Sequence, residues 1–139
     1  MILEIEIPIK PQPHQSVRFT RSGRTYQPKK VKEYKQKIQE VVLAQLPDHF
    51  SIFTKGSFIE IRSLHYVYEY PKSMPKKNRY DGLPKVTKPD LHDNLNKALF
   101  DALEGVLWEQ DQNIVSIRDL RKYYSDQNKI IMKVLCWTE

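Results

Sequence analysis

The sequence predicts a single-domain α+β fold built on a mixed sheet, and three observations predict it. Short runs near both ends alternate apolar and polar residues. A helical period takes over at residues 29–45 and again at 91–104, and prolines and glycines punctuate the junctions. The 139 residues suit one domain, and 40% hydrophobic against 29% charged residues is the balance of a globular chain with its own core.

Ile2, Ile5, Ile7 and Ile9 mark an opening strand, closed by Pro8, Pro11 and Pro13. Residues 10–30 read as a polar, basic, proline-punctuated loop. Val31, Tyr34, Ile38, Val41, Val42 and Leu46 then recur at helical spacing, giving a helix over 29–45 that Pro47 stops. Residues 57–70 form a strand, but both of its faces mix apolar and charged residues, which predicts a bend or bulge partway along. Residues 71–89 show no period and read as a second long basic loop. A helix follows at about 91–104, with Leu95, Ala98, Leu99, Ala102 and Leu103 as its apolar stripe and Gly105 as its stop. Two strands, 114–124 and 129–137, finish the chain across the turn-prone Ser125-Asp126-Gln127-Asn128. The expected order is β-α-β-α-β-β.

Charge narrows the function. A net charge of +6 and a pI near 9.3 favour a polyanionic partner. The basic residues concentrate in the two loops. Arg18, Arg21, Arg24, Lys29 and Lys30 lie in the first, with Lys10 at its start; Lys76, Lys77, Arg79 and Lys88 lie in the second, with Lys72 and Lys85. Such loops suit phosphate contact, which positions a duplex without reading its sequence. Phe19, Tyr26 and Tyr80 interleave with the charges and are placed to stack on unpaired bases. One cysteine, Cys136, excludes an internal disulfide and a cysteine-built zinc site, and points to an intracellular, cytoplasmic protein. The N-terminal MILEIEIPIK lacks the basic start and apolar block of a signal peptide, and no run of about 18 apolar residues exists to span a membrane.

Against this basic background, Asp90, Asp93 and Asp111 gather around the second helix together with Lys97. Taken singly they have ordinary readings: Asp90 as a helix cap, and Asp93 with Lys97 as an i,i+4 ion pair. Taken together they suit a divalent cation beside a polyanion, because hard Mg²⁺ prefers carboxylate oxygen and keeps positions open for water and phosphate. Asp111 lies beyond the helix, and joins the other two only if the following strand runs alongside Asp93.

The run Asp90-Leu91-His92-Asp93-Asn94-Leu95-x-Lys97-Ala98-x-Phe100-Asp101-Ala102-Leu103, followed by Trp108 and by Asp111-x-x-Ile114-Val115, resembles the core of the RusA family of Holliday junction resolvases, which are common in prophages. The opening segment, with Arg18-Phe19-Thr20 and Tyr26-x-Pro28-Lys29-Lys30 ahead of a helix, is similar to the family as well. The resemblance implies a RusA-like fold and a homodimer that cuts four-way or other branched DNA by paired nicks, in recombination and repair. It implies Asp90, Asp93 and Asp111 as Mg²⁺ ligands, with Mn²⁺ as a substitute, and Lys97 as a catalytic lysine. The chain departs from the family's D-x-D-N spacing, since both Leu91 and His92 stand between the first two aspartates. The extra residue turns Asp90 relative to Asp93 and makes His92 a minor candidate for substrate contact.

The competing reading is a non-catalytic basic DNA-binding phage protein whose acidic residues only cap and pair. A restriction-type nuclease begins well at Pro89-Asp90, but no Asp/Glu-x-Lys follows at a usable distance.

Overall fold

A computed structural model describes residues 1–14, 18–26 and 28–137, with the side chains of Arg18, Phe19 and Tyr26 outside the description. The opening strand β1 (Ile2–Ile7) buries Leu3, Ile5 and Ile7 and exposes the residues between them, the period-2 pattern of a strand with one covered face. A short hairpin, β2 (Arg18–Phe19) with β3 (Thr25–Tyr26), rises from the first basic loop, and α1 (Lys29–Gln45) follows with Tyr34, Ile38 and Val42 buried.

The long strand β4 (Phe58–Glu69) is the spine of the sheet. It pairs antiparallel with β8 (Lys129–Trp137), which pairs in turn with β1. Its other side runs parallel first to β6 (Ile114–Ile117), then to β7 (Leu120–Ser125), and the short β5 (Leu83–Pro84) closes against β7. The second helix, α2 (Asn96–Leu103), lies beside α1: Gln39 Nε2 donates to the Ala102 carbonyl at 3.0 Å and Lys35 meets Asp101 at 3.5 Å. Both helices bury their apolar residues in one core with the sheet, around Ile59, Ile61, Leu64, Tyr66, Leu95, Leu99, Leu103 and Trp108. Tyr66 donates a 2.8 Å hydrogen bond to the buried Asn96 Oδ1, satisfying a polar pair at the start of α2.

The α+β class, the single core, α1 and the final strand follow the sequence expectation. The expected irregularity in β4 is present as well, since its register shifts between Ile59 and Glu60 and again between Ile61 and Ser63. The single strand expected at 114–124 is instead two. Arg118 N–H bonds the Ile61 carbonyl, Leu64 N–H bonds the Asp119 carbonyl, and Asp119 takes a left-handed φ of 46°. The β4 bulge therefore breaks its neighbour at the same level. The short β2, β3 and β5 are additions to the expected order.

Candidate active site and basic groove

The acidic segment opens with a π turn. Residues Leu91–Leu95 are wound with an i→i+5 pattern, the Leu95 N–H bonding the Asp90 carbonyl at 3.3 Å, before α2 continues in ordinary α geometry. A π turn is what one additional residue produces in a helix whose flanks are held in register. The residue that departs from D-x-D-N is thus absorbed within the turn, and Leu95 and Leu99 keep their buried positions.

Asp90 stands at the mouth of this turn, exposed, and its carboxylate makes no capping hydrogen bond. Asp93 and Lys97 pair across one turn at 3.0 Å, both partly exposed. The expected i,i+4 face is present, with cation and carboxylate presented together to solvent. His92 is exposed beside them.

Asp111 is not in this group. It opens a 3-10 turn (Asp111–Asn113) at the far end of α2, where its N–H points at Glu104 Oε1 at 3.4 Å. Asn113, in the same turn, donates to the Lys55 and Ser57 carbonyls, so the turn is pinned at the start of β4. The helical residues between Asp93 and Glu104, at 1.5 Å of rise each, set the two ends of the helix roughly 15 Å apart, and Asp111 lies at the Glu104 end. Among the described residues, no three His, Cys, Asp or Glu side chains stand close enough to share an ion. The expectation that the three aspartates converge fails within one chain: β6 runs beside the beginning of β4 and never alongside Asp93. The donor set that remains, Asp90 and Asp93, fits Mg²⁺, which is commonly held by one or two carboxylates with substrate phosphate and water completing its shell.

The basic residues form a groove next to the same helix end. A cavity of about 660 Å³ is lined by Lys10, Lys30, Lys72, Lys85 and Lys88, with Tyr68, Tyr70 and Tyr124 as its aromatic wall and Pro89 at its rim. Both long loops therefore meet beside Pro89, the residue before Asp90. The first is fixed there by the His14 N–H, which bonds the Asn94 carbonyl at 2.8 Å, and by Tyr68 Oη, which donates to the Pro11 carbonyl. Lys85 Nζ lies 4.8 Å from the Tyr68 ring centre and 5.2 Å from that of Tyr124, and donates to Thr87 Oγ1 at 2.6 Å. Burial pushes both tyrosine hydroxyls up. At Tyr124, hydrogen bonds from Thr87 and Lys85 and the charges of Lys85 and Lys122 more than offset burial and leave it below its ordinary value; Tyr68 stays above.

The other basic candidates divide. Lys30 and Lys88 line the groove. Arg21 and Arg24 are exposed on the turn between β2 and β3, and the side chain of Arg18 lies outside the described residues. Lys29 is exposed and pairs loosely with Glu33 at 3.8 Å. Lys76 and Lys77 are exposed on a 3-10 turn. Arg79 is turned inward on its own loop, donating to the Met74 and Pro71 carbonyls and sitting 5.5 Å from the Tyr70 ring centre, so its guanidinium shapes the loop. Sequence reasoning missed Lys122, whose Nζ donates to the Thr87 and Pro89 carbonyls at 2.6 Å each and holds the segment that presents Asp90. Its place in a strand of mixed residues gave no signal.

Phe19, Tyr26 and Tyr80 are the aromatic residues that the sequence offers for base stacking. Tyr80 is exposed, while the side chains of the other two lie outside the described residues. His65 is a hydrogen-bonded strand histidine, held between Tyr123 Oη and Asp119 Oδ2 at 2.9 Å each, and its bond holds the Asp119 carboxyl below the usual range. No helix is long and apolar enough to cross a membrane among the described residues.

The family model for endodeoxyribonuclease RusA matches residues 8–135. No curated protein matches the chain.

Proposed function

Because this chain belongs to the RusA family of endodeoxyribonucleases, the Holliday junction resolvases, we propose that it is a Mg²⁺-dependent, structure-specific endonuclease that nicks four-way or other branched DNA in recombination and repair, acting as a homodimer. The observation that carries this reading is the meeting of the two basic loops at the Asp90–Asp93–Lys97 end of the second helix.

Lys10, Lys30, Lys72, Lys85 and Lys88 give the groove a positive field that draws in the phosphate backbone. Asp90 and Asp93 are the residues that hold Mg²⁺ in this reading. The ion, when bound, supplies Lewis acidity toward a phosphoryl oxygen and lowers the pKa of water. Lys97, paired with Asp93, stabilises charge building up on the phosphate. Lys122 keeps Asp90 at the groove rim through the two carbonyls it grips.

Metal dependence is tested with a labelled synthetic four-way junction. Nicks are expected with Mg²⁺ and with Mn²⁺, and none with EDTA. Binding without cleavage in both ions would reduce the protein to a binding module.

The groove is tested separately. Replacing Lys30 and Lys88 together by Ala should weaken binding to junction and duplex alike. It should also flatten the slope of log affinity against log salt by about 2, one unit per lost phosphate contact. An unchanged slope in a salt titration would remove the groove from the DNA path.

A further inference from the structure

We infer that Val86 is a wedge for the branch point, an apolar side chain on a fixed loop tip that enters the base stack where DNA arms part. The inference rests on the nuclease reading above and deepens it, by naming the group that tells branched DNA from continuous duplex. The groove lysines do not make that distinction, because phosphates are present in both and contacts to them position without reading. What a branch point alone offers is base pairs that have lost a stacking neighbour. An apolar side chain driven between base steps must unstack them, and the cost is least where stacking is already interrupted.

Val86 is 90% exposed, whereas the next large apolar side chain among the described residues, Val115, is 58% exposed. A single exposed valine is ordinary on a protein surface. The bonds that hold this one set it apart. On the residue before it, the Lys85 N–H bonds the Lys122 carbonyl at 3.3 Å. On the residue after it, the Thr87 carbonyl accepts from Lys122 Nζ at 2.6 Å, and the same ammonium reaches the Pro89 carbonyl. Lys85 Nζ passes beneath Val86 to Thr87 Oγ1 at 2.6 Å. Upstream, Leu83 and Pro84 pair with Tyr124 and Tyr123 of β7. The backbone on both sides is thus tied to β7, and the valine side chain projects from it into solvent. A tip already fixed in place loses little freedom on insertion, so its apolar contact is retained as affinity.

The surroundings bring DNA to the tip. Lys85 and Lys88, which flank Val86 in the chain, line the groove, and Asp90 follows four residues after Val86. Phosphates drawn to those lysines carry the base stack toward the valine. On a closed duplex its methyl groups stay in water; at an open stack they gain burial.

The test uses a four-way junction carrying aminopurine, a fluorescent adenine analogue quenched by stacking, at a branch-point position. EDTA keeps the junction intact while protein is titrated. The unaltered chain is expected to raise the fluorescence on binding. Val86→Ala is expected to leave it near the free-junction level and to lower the preference for junction over duplex by about tenfold, the worth of two buried methyl groups. Val86→Thr keeps the shape, replaces one methyl by a hydroxyl, and should weaken both readouts. Duplex affinity and its salt slope should stay unchanged in both variants, since neither alters a charge. The side chain is exposed, so neither change threatens the fold.

A junction bound by the unaltered protein with its aminopurine still quenched overturns the wedge. So does a Val86→Ala chain that matches the unaltered one in fluorescence and in junction preference. Nicking in Mg²⁺, assayed separately, keeps the two ideas apart. Cleavage without unstacking sinks the wedge and leaves the nuclease reading intact. Unstacking that depends on Val86, in a chain that cuts no junction, retains the wedge and sinks the nuclease reading.

Discussion

Asp93→Asn is expected to bind four-way junctions as tightly as the unaltered chain and to cut them at least about 10²-fold more slowly, the scale of one lost electrostatic contact at a reacting centre. The substitution keeps the side chain's shape and removes its charge. Asp93 is partly exposed and pairs with Lys97 at 3.0 Å, so the fold loses no more than a surface ion pair. The groove lysines are untouched, and affinity set by phosphate contact should be retained. The change therefore separates binding from cleavage. Single-turnover cleavage, with binding measured in parallel by gel shift, checks both halves, and ordinary turnover would remove Asp93 from the reacting centre.

Trp108→Ala carries the largest expected effect on stability, a loss of about 3–5 kcal/mol, as for other fully buried aromatic residues. Trp108 is wholly buried, packs edge-on against Phe100 at 5.8 Å, and bridges to Phe53 through the backbone. It sits where the chain leaves α2 and turns toward Asp111, so its loss loosens the connection between helix and sheet. Among the described residues its indole N–H has no hydrogen-bond partner. Trp108→Phe therefore sacrifices no polar contact and should cost much less than the alanine change. Urea unfolding of the two variants provides the comparison, and equal losses would contradict the packing account.

What the sequence revealed depended on periodicity. The helix at residues 29–45 was legible because seventeen residues with one apolar face and a proline just beyond leave few other structures. The irregularity of β4 was legible because its parity fails. The break between β6 and β7 was not, since Arg118 and Asp119 read as two more polar positions in an alternating run. It arises from the Arg62 bulge one strand away. The π turn was equally hidden, because no local pattern distinguishes five residues wound i→i+5 from an α-helical turn.

The site divides along the same line. Asp93 and Lys97 were placed together by helical spacing alone, and Asp90 by its adjacency to the turn. Asp111 required knowledge of where β6 docks, a non-local pairing that spacing does not encode. The groove lay between these cases: composition marked both loops as basic, but only the cavity they line together shows that they meet, with the first loop held there by the His14 N–H on the Asn94 carbonyl and Tyr68 Oη on the Pro11 carbonyl.

The most direct measurement follows each strand of an immobile four-way junction, labelled in turn, beside a linear duplex of the same sequence, in Mg²⁺ with the unaltered protein. The account predicts nicks on two opposed strands of the junction and an uncut duplex. Four intact strands under conditions where the junction is fully bound would contradict it.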